Sequence, residues 1–150
     1  MGKVLLNFSV AIAAFLSWTA QADTQKPNDS DMFNPIGKYI EAGDYERLSA
    51  WFADNLELDL MGAVNNCTRN QAKLIMKNFF ASNTPKSFNI VHKSGRPPMT
   101  YAVGSLSAGG NKFRVIIFVK TTDKKNAIQQ IRIEKEEPFR FFFALFRKIL

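Results

Sequence analysis

The chain has 150 residues and a formal net charge of +7, with a single histidine and a single cysteine. This length suits one domain with a substantial apolar core. Metal sites need several converging His, Cys or carboxylate ligands, and disulfides need two cysteines, so we expect no metal, no cofactor and no intrachain disulfide.

Residues 1–22 have the pattern of a secretory signal peptide. Lys3 precedes an apolar run over residues 4–18, and residues 20–22 (AQA) fit a small-residue cleavage site. The alternative is a retained membrane anchor, but a spanning helix needs about 20 apolar residues, more than this run supplies. The pattern predicts export, to the periplasm or beyond, and so removes nucleic acid from the expected partners.

The charge beyond this segment is unevenly distributed. Residues 23–33 are mostly polar and predict a flexible linker. Residues 23–59 carry nine acids and three bases, whereas residues 60–150 carry sixteen bases and four acids. A basic exported surface favours anionic partners such as lipid headgroups or acidic glycans. The alternative is a solvated basic face without a dedicated partner.

Two short helices are predicted first. Pro35 in a first turn and Gly43 as a stop favour a helix over residues 34–42. Asp44 can cap a second helix over residues 45–52, because its side chain can accept a hydrogen bond from a free backbone N–H.

A strand, a turn and a longer helix are predicted next. Strict alternation in residues 56–60 (LELDL) is typical of a strand, and residues 61–66 read as a turn. Thr68 and Gln71 have the spacing of a capping box, in which each side chain bonds a backbone N–H of the other residue. Apolar residues then recur at helical spacing until the segment before Pro85.

The rest of the chain predicts sheet. Strands are expected over residues 87–93 and 99–107. A glycine-containing turn at residues 108–111 leads into a long hairpin over residues 112–134. These segments give four consecutive antiparallel strands.

The hairpin over residues 112–134 is expected to have two different faces. Its mostly apolar face should hold Phe113, Val115, Ile117, Val119, Gln129, Ile131 and Ile133. Its mixed face should hold Arg114, Ile116, Phe118, Lys120, Ile128, Gln130, Arg132 and Glu134. This alignment requires an odd number of residues in the connecting loop, because an even number would place polar and apolar residues on both faces.

The order of elements predicts an α+β fold, in which a curved antiparallel sheet packs on N-terminal helices. The segments IGKYIEAGDYERLSAWFADNLEL, KNFFASNTPKSFNIVHKSG, YAVGSL and IQQIRIE lie between residues 35 and 134. With them the chain resembles the nuclear transport factor 2-like (NTF2-like) superfamily, and within it a bacterial family of small exported domains of unknown function. The resemblance implies a cone-shaped domain over residues 34–136 and assigns no activity.

Some members of that superfamily catalyse proton transfer inside the cone, with an Asp and a His or Tyr. In this chain the resemblance places Tyr39, Trp51, His92 and Tyr101 near such a cavity. The set lacks an obvious base, because Asp123 is predicted in a turn. In the alternative interpretation these four are ordinary core or rim residues.

The mixed face offers a second candidate site. Arg114, Gln130 and Arg132 lie beside apolar residues there and suit an anionic or amphipathic ligand. The alternative is a solvated ladder of cross-strand ion pairs. The candidate ligand-binding residues are therefore Tyr39, Trp51, His92, Tyr101, Arg114, Gln130 and Arg132.

Cys67 and His92 are the residues from which a nucleophilic pair would have to be built. Cys67 precedes a predicted helix, where a thiolate is favoured, but the two residues do not form a motif. A core cysteine and a strand histidine are the preferred interpretation. We therefore assign no catalytic residue.

Residues 137–150 (EPFRFFFALFRKIL) form a basic, Phe-rich tail that departs from the family pattern. One face of a helix beginning at Pro138 would carry Phe139, Phe142, Phe143 and Phe146. Three roles are open: covering the mixed face of its own sheet, contacting a partner or a second copy, or lying on an anionic membrane surface.

These observations favour an exported, non-enzymatic module that binds an unknown small ligand or protein. A homodimer through the sheet face is one such arrangement. The alternatives are a cavity enzyme for proton transfer or dehydration of a small apolar substrate, with His92 involved, and a membrane-surface protein held by its tail.

Overall fold

The computed structural model describes residues 31–123, 125–137 and Arg147. The predicted signal peptide over residues 1–22, most of the linker and nearly all of the tail after Glu137 lie outside the described residues. Within the described part of the chain, no helix is both long and apolar enough to cross a membrane.

The described chain contains three helices and six strands. The helices are α1 (Phe33–Ala42), α2 (Tyr45–Ser49) and α3 (Arg69–Ser82). The strands are β1 (Phe52–Leu60), β2 (Ala63–Thr68), β3 (Pro85–Arg96), β4 (Met99–Ala108), β5 (Asn111–Thr121) and β6 (Asn126–Lys135).

The six strands form one curved, unclosed sheet in the order β2-β1-β6-β5-β4-β3. Neighbouring strands run antiparallel, except that β1 and β6 run parallel. The helices pack on one face of this sheet, here called the inner face, and the opposite face is the outer face. The predicted α+β fold, with a curved sheet on N-terminal helices, is confirmed.

The inner face and the helices share one apolar core. Phe79 of α3 meets Phe113 of β5 edge to face, with ring centroids 5.5 Å apart. The buried inner-face residues of β5 and β6 are Phe113, Val115, Ile117, Val119, Ile128, Ile131 and Ile133. The apolar face predicted for the hairpin is therefore the face that packs against the helices.

The register of the β5–β6 hairpin confirms most of the predicted facing. Val115 pairs with Ile133, and Ile117 pairs with Ile131, so the apolar residues of the two strands lie opposite one another. Since side chains alternate with a period of two, the intervening residues of both strands point to the outer face.

The loop between β5 and β6 has an even number of residues, whereas an odd number was predicted. Thr121 pairs with Asn126, so an even number of residues, 122–125, connects the strands. A bulge restores the alignment, because Gln129 is an extra residue of β6 opposite the step from Phe118 to Val119. As a result Ile128 is buried on the inner face, whereas it was predicted on the mixed face.

The turn predicted over residues 61–66 is wrong, because residues 63–68 form strand β2. The asparagines at 65–66 have a weak intrinsic preference for strands, and only pairing with β1 makes the segment extended. The turn is confined to Met61 and Gly62, whose φ angles are 54° and 88°. Two successive positive φ angles are typical of a tight hairpin turn.

The second helix is shorter than predicted. It ends at Ser49, and Phe52 already belongs to β1. The carbonyl of Trp51 accepts a hydrogen bond from the N–H of Ile128 at 2.6 Å, which commits the chain to the sheet at this point. Pairing with a distant strand overrides the local helical spacing.

The start of α3 confirms the predicted capping box. The side chain of Thr68 accepts a hydrogen bond from the N–H of Gln71, and the Thr68 N–H donates to Oε1 of Gln71 at 2.9 Å. Two backbone donors that a helix start leaves free are thereby satisfied.

We expect Thr68→Ala to lower the free energy of unfolding by about 1 kcal/mol, because it leaves the N–H of Gln71 without its acceptor. Urea unfolding followed by circular dichroism measures this loss. Thr68→Ser keeps a hydroxyl at the same place and is the matched control. An equal loss in the two variants would contradict a capping role for the hydroxyl.

Candidate functional site

The outer face carries a row of side chains that crosses four strands. Tyr101 pairs with Phe118, Phe118 with Gln130, and Gln130 with Glu57. Paired residues point to the same face, so these four side chains lie side by side. The Gln130 side-chain amide donates a hydrogen bond to the Glu57 carboxylate. The row therefore joins an aromatic surface to a polar one.

The ring of His92 on β3 extends the aromatic end of this row. The Tyr101 ring lies 5.5 Å from that of Phe118 and 6.0 Å from that of His92, measured between centroids. Tilted aromatic pairs at this distance contribute about 0.5–1.5 kcal/mol beyond their area. His92 is exposed, while Tyr101 and Phe118 are half-buried. The rings thus form a preformed aromatic surface.

A second row runs beside the first. Asp59 pairs with Arg132, Arg132 with Ile116, and Ile116 with Val103. Asp59 is buried, its Oδ1 accepts from the N–H of Gly62 at 3.0 Å, and its Oδ2 lies 3.0 Å from Arg132 Nε. The Arg132 Nε–H is not aligned for a hydrogen bond, so the contact is an ion pair. Two apolar side chains continue the row.

Five of the seven predicted ligand-binding residues lie on the outer face. They are His92, Tyr101, Arg114, Gln130 and Arg132. The other two lie on the helix side of the sheet, where Tyr39 of α1 and Trp51 pack half-buried against the core. Since the sheet separates the two groups, the seven residues do not form one site.

Cys67 and His92 cannot act together. Cys67 lies on β2 and His92 on β3, which are opposite edges of the six-stranded sheet. Cys67 is buried, its Sγ lies 3.6 Å from the carbonyl oxygen of Leu56, and burial raises the pKa of its thiol. A raised pKa keeps the thiol protonated and unreactive at neutral pH. The preferred prediction, a core cysteine, is confirmed.

A cleft opens where β1 leaves β6. The pairing of the two strands is interrupted between Phe52 and Glu57, beside the bulge at Gln129. A cavity of about 390 Å³ lies there. It is lined by Asn55, Leu56, Glu57, Asn66, Cys67, Thr68, Gln71 and Gln129. Most of these side chains are amides or other neutral hydrogen-bonding groups.

A smaller cavity of about 220 Å³ lies on the other side of Gln129. It is lined by Ala53, Asp54, Lys120, Thr122, Lys125, Ala127 and Gln129. None of the seven predicted site residues lines either cavity. Sequence reasoning missed both because they depend on the bulge and on the β1–β6 pairing. The sequence feature that could have indicated the larger cavity is the frequency of Asn and Gln in the segments that form β1, β2 and β6.

The described residues also bear on metal binding. Over residues 31–123 and 125–137, no group of three or more His, Cys, Asp and Glu side chains is arranged to hold a metal ion. The side chains of the site offer hydrogen bonds, charge and apolar contact.

The family of the chain follows from its sequence match. Residues 33–134 match the family described as "Domain of unknown function (DUF4783)". The chain belongs to the DUF4783 family. The predicted resemblance to a family of unknown function in the NTF2-like superfamily is thereby confirmed. A search of curated proteins gave no match.

Solved DUF4783 proteins have the same fold as this chain. One from Bacteroides uniformis is 25% identical with a TM-score of 0.67, and the similarity covers 69% of this chain and 96% of that chain. One from Bacteroides ovatus is 28% identical with a TM-score of 0.65, covering 68% and 93%. The similarity thus spans almost the full length of these two proteins.

The wider superfamily contributes the fold alone. An NTF2-like protein of unknown function from Burkholderia xenovorans is 14% identical with a TM-score of 0.56, covering 72% of this chain and 82% of that chain. This likeness places the DUF4783 domain among NTF2-like folds. Its function must be argued from its own residues.

Proposed function

We propose that this DUF4783 protein is an exported, non-enzymatic interaction module whose outer sheet face binds protein, with a second copy of the chain as the partner. Export is inferred from the signal-peptide pattern of residues 1–22. The observation that carries the interaction is the half-buried aromatic pair Tyr101–Phe118, set in a sheet face that also presents Arg114 and Arg132.

The shape and composition of the outer face favour a protein partner over a small ligand. Small-molecule sites are concave and enclose most of their ligand, whereas an aromatic row across paired strands is a broad surface. Tyr and Arg are among the residue types that dominate the binding energy of protein interfaces. Tyr101, Phe118 and Ile116 supply apolar area, and Arg114 supplies an exposed charge.

The size of the face suits a second copy. The six strands lie about 4.8 Å apart, and an average of roughly nine residues per strand at about 3.3 Å per residue gives a face of about 700 Å². Stable interfaces bury about 800 Å² on each partner. The face therefore has nearly the area that a stable dimer needs.

The charges of the face are compatible with two-fold symmetry. Arg114 pairs across the strands with Glu134, and Arg132 with Asp59 on the other neighbouring strand. In a two-fold dimer the same patch meets itself, so it must carry both signs of charge to be self-complementary. These two strand pairs give the face both signs of charge, as such a contact requires.

The position of His92 supports a non-enzymatic role over the cavity-enzyme alternative. His92 lies against Tyr101 at the exposed outer face, on the edge strand β3. Within the described residues, the inner face, where the superfamily resemblance would place a substrate, is lined by buried apolar side chains that pack with those of α3. A general base works only within hydrogen-bonding reach of its substrate.

We expect the chain from residue 23 onward to be a dimer, and Phe118→Asp to be a monomer that remains folded. A charge at the centre of an apolar contact is desolvated and unpaired in the dimer but hydrated in the monomer. Size-exclusion chromatography with light scattering gives the mass, and circular dichroism reports folding. Leu74→Asp is the matched control, because Leu74 is an exposed apolar residue of α3.

A second variant keeps this test decisive if Phe118→Asp fails to fold. Arg114→Glu changes only an exposed side chain, and it replaces a base that a self-complementary contact pairs with an acid of the second copy, so that two acids would face each other. A wild-type monomer, or a dimer that survives both Phe118→Asp and Arg114→Glu, would contradict the proposal. A monomer that dimerises after deletion of residues 138–150 would instead assign the face to the tail.

A further inference from the structure

The side chain of Gln129 stands between the two cavities described above. It lines both the 390 Å³ cavity and the 220 Å³ cavity. Its position results from the bulge in β6 and from the gap that β1 leaves beside it. Bulges commonly redirect a side chain toward a binding site. A ligand that filled both cavities would cross Gln129.

The larger cavity offers neutral hydrogen-bonding groups. Asn55 and Asn66 are exposed in it, and Gln129 is half-buried. Each amide side chain both donates and accepts hydrogen bonds, and so does each hydroxyl of a sugar. Two adjacent sugar hydroxyls can therefore pair with the oxygen and the nitrogen of one amide. The cavity of about 390 Å³ is open to solvent along much of its surface, so a sugar chain can lie across it.

The carboxylate of Glu57 lines the larger cavity and determines which ligand charge is favoured there. It accepts a hydrogen bond from Gln130, and an ionised carboxylate can only accept hydrogen bonds. It would repel an anionic group and would accept a bond from a hydroxyl or an N-acetyl N–H. The larger cavity therefore favours a neutral sugar over an acidic one.

The smaller cavity has the opposite preference. Two lysines, Lys120 and Lys125, line it together with Asp54. Asp54 is already paired with Arg69, whose guanidinium nitrogen lies 2.8 Å from its carboxylate. Lys120 and Lys125 outnumber this one carboxylate, so the lining of the smaller cavity carries a net positive charge and favours a carboxylate ligand.

The turn that carries Lys125 has a defined shape. The N–H of Thr122 donates to the carbonyl of Lys125 at 2.9 Å, and the Lys125 N–H donates to Thr122 Oγ1 at 3.3 Å. These bonds close the end of the β5–β6 hairpin and hold the backbone of Lys125 beside the cavity. The hydrogen bonds of the turn therefore fix the position of the Lys125 backbone at the smaller cavity.

We infer that this DUF4783 domain binds a glycan at Gln129, with a neutral sugar among Asn55, Asn66 and Gln129 and an adjoining acidic sugar against Lys120 and Lys125. This binding site goes beyond the proposed function, because it is centred on the gap between β1 and β6 and shares only Glu57 with the aromatic row of the outer face. The ligand class is a glycan in which a neutral sugar adjoins a uronic acid, as in an acidic polysaccharide.

A hyaluronan tetrasaccharide, which alternates glucuronic acid with N-acetylglucosamine, is the probe. We expect isothermal titration calorimetry to show binding with a Kd below about 1 mM, which corresponds to a binding free energy of roughly −4 kcal/mol or better. Tetra-N-acetylchitotetraose has the same neutral sugar without the carboxylates and should bind at least about tenfold more weakly, since it cannot pair with the lysines.

Three variants locate the site. Gln129→Ala should raise the Kd for the hyaluronan probe by about tenfold or more, which is the effect of losing about 1.4 kcal/mol. Lys120→Gln should weaken hyaluronan binding and leave chitotetraose binding unchanged. Lys112→Gln, an exposed lysine at the other end of β5, is the matched control and should bind normally.

Three outcomes overturn the inference: no binding of either sugar up to about 10 mM, equal affinity for the two sugars, or hyaluronan binding that survives Gln129→Ala. The proposed dimer and the proposed glycan site can be disproved independently of each other. The monomeric variant Phe118→Asp should still bind hyaluronan, and Gln129→Ala should still be a dimer.

Discussion

Gly104→Ala is expected to lower the free energy of unfolding by about 1–3 kcal/mol, although it adds only one methyl group. A Cβ at Gly104 would lie 2.3 Å from Cζ and 2.5 Å from Cε2 of the Phe88 ring. No unstrained contact exists at these distances, and Phe88 is buried, so its ring has little room to move.

The same ring also fixes helix α1 on the sheet. A Cβ at Gly37 of α1 would lie 3.3 Å from two atoms of the Phe88 ring. Phe88 is therefore held between a helical glycine and a strand glycine, with the absence of both side chains allowing the close approach. Displacing the ring from Gly104 would press it toward Gly37.

Urea unfolding of a double-mutant cycle measures this effect. Phe88→Leu removes the ring atoms that the methyl group of Gly104→Ala would meet. The loss in the double variant should therefore be smaller than the sum of the two single losses by at least about 0.5 kcal/mol. Ser105→Ala, on the opposite face of β4, is the control and should change stability by less than about 0.5 kcal/mol. Additive losses at Phe88 and Gly104 would contradict the steric explanation.

Asp59→Asn is expected to lower the free energy of unfolding by about 1–3 kcal/mol, since the change removes the charge that faces Arg132. The side chain of Asp59 is only 9% exposed, and its Oδ2 lies 3.0 Å from Arg132 Nε. Arg132 is partly exposed, so water compensates part of the loss, and we place the effect below the range for fully buried pairs.

Asp54→Asn provides a close control for this prediction. Asp54 is also on β1 and also pairs with an arginine, Arg69, at 2.8 Å, but its side chain is 85% exposed. Exposed ion pairs contribute at most about 1 kcal/mol and are weakened by salt. Urea unfolding at neutral pH compares the two variants. Equal losses would show that burial of Asp59 has no part in its contribution.

Local patterns predicted the elements that local chemistry determines. The capping box at Thr68 and Gln71 and the stop at Gly43 depend on residues within one helical turn, and both are present in the structure. The facing of β5 follows from alternation, which a strand imposes on every neighbouring pair of residues. These elements can be predicted from neighbouring residues alone, without knowledge of tertiary contacts.

Pairing between distant strands could not be predicted in this way. Residues 63–68 become a strand only because β1 lies beside them, and β1 itself is extended at Phe52 by its contact with β6. The sequence of a segment does not indicate which distant strand it will pair with. The parallel β1–β6 pair therefore emerged only with the structure.

The candidate site was predicted in part for the same reason. Arg114, Gln130 and Arg132 were placed together correctly on the mixed face, because alternation determines facing. His92 and Tyr101 joined them through strand pairing rather than through a cavity in the core. The cleft at Gln129 depends on a bulge, which shifts the alignment by one residue and leaves no periodic signal.

Cysteine cross-linking at Ile116 tests the outer-face dimer most directly. Ile116 lies near the centre of the outer face, between Arg132 and Val103, whereas the native Cys67 is buried and should not react. Because the proposed two-fold axis passes through the centre of the outer face, the Ile116→Cys side chains of two copies lie next to each other there, and mild oxidation should give a covalent dimer. Leu74→Cys on α3 should remain monomeric under the same oxidation. A monomeric Ile116→Cys variant, or equal cross-linking of both variants, would contradict the account.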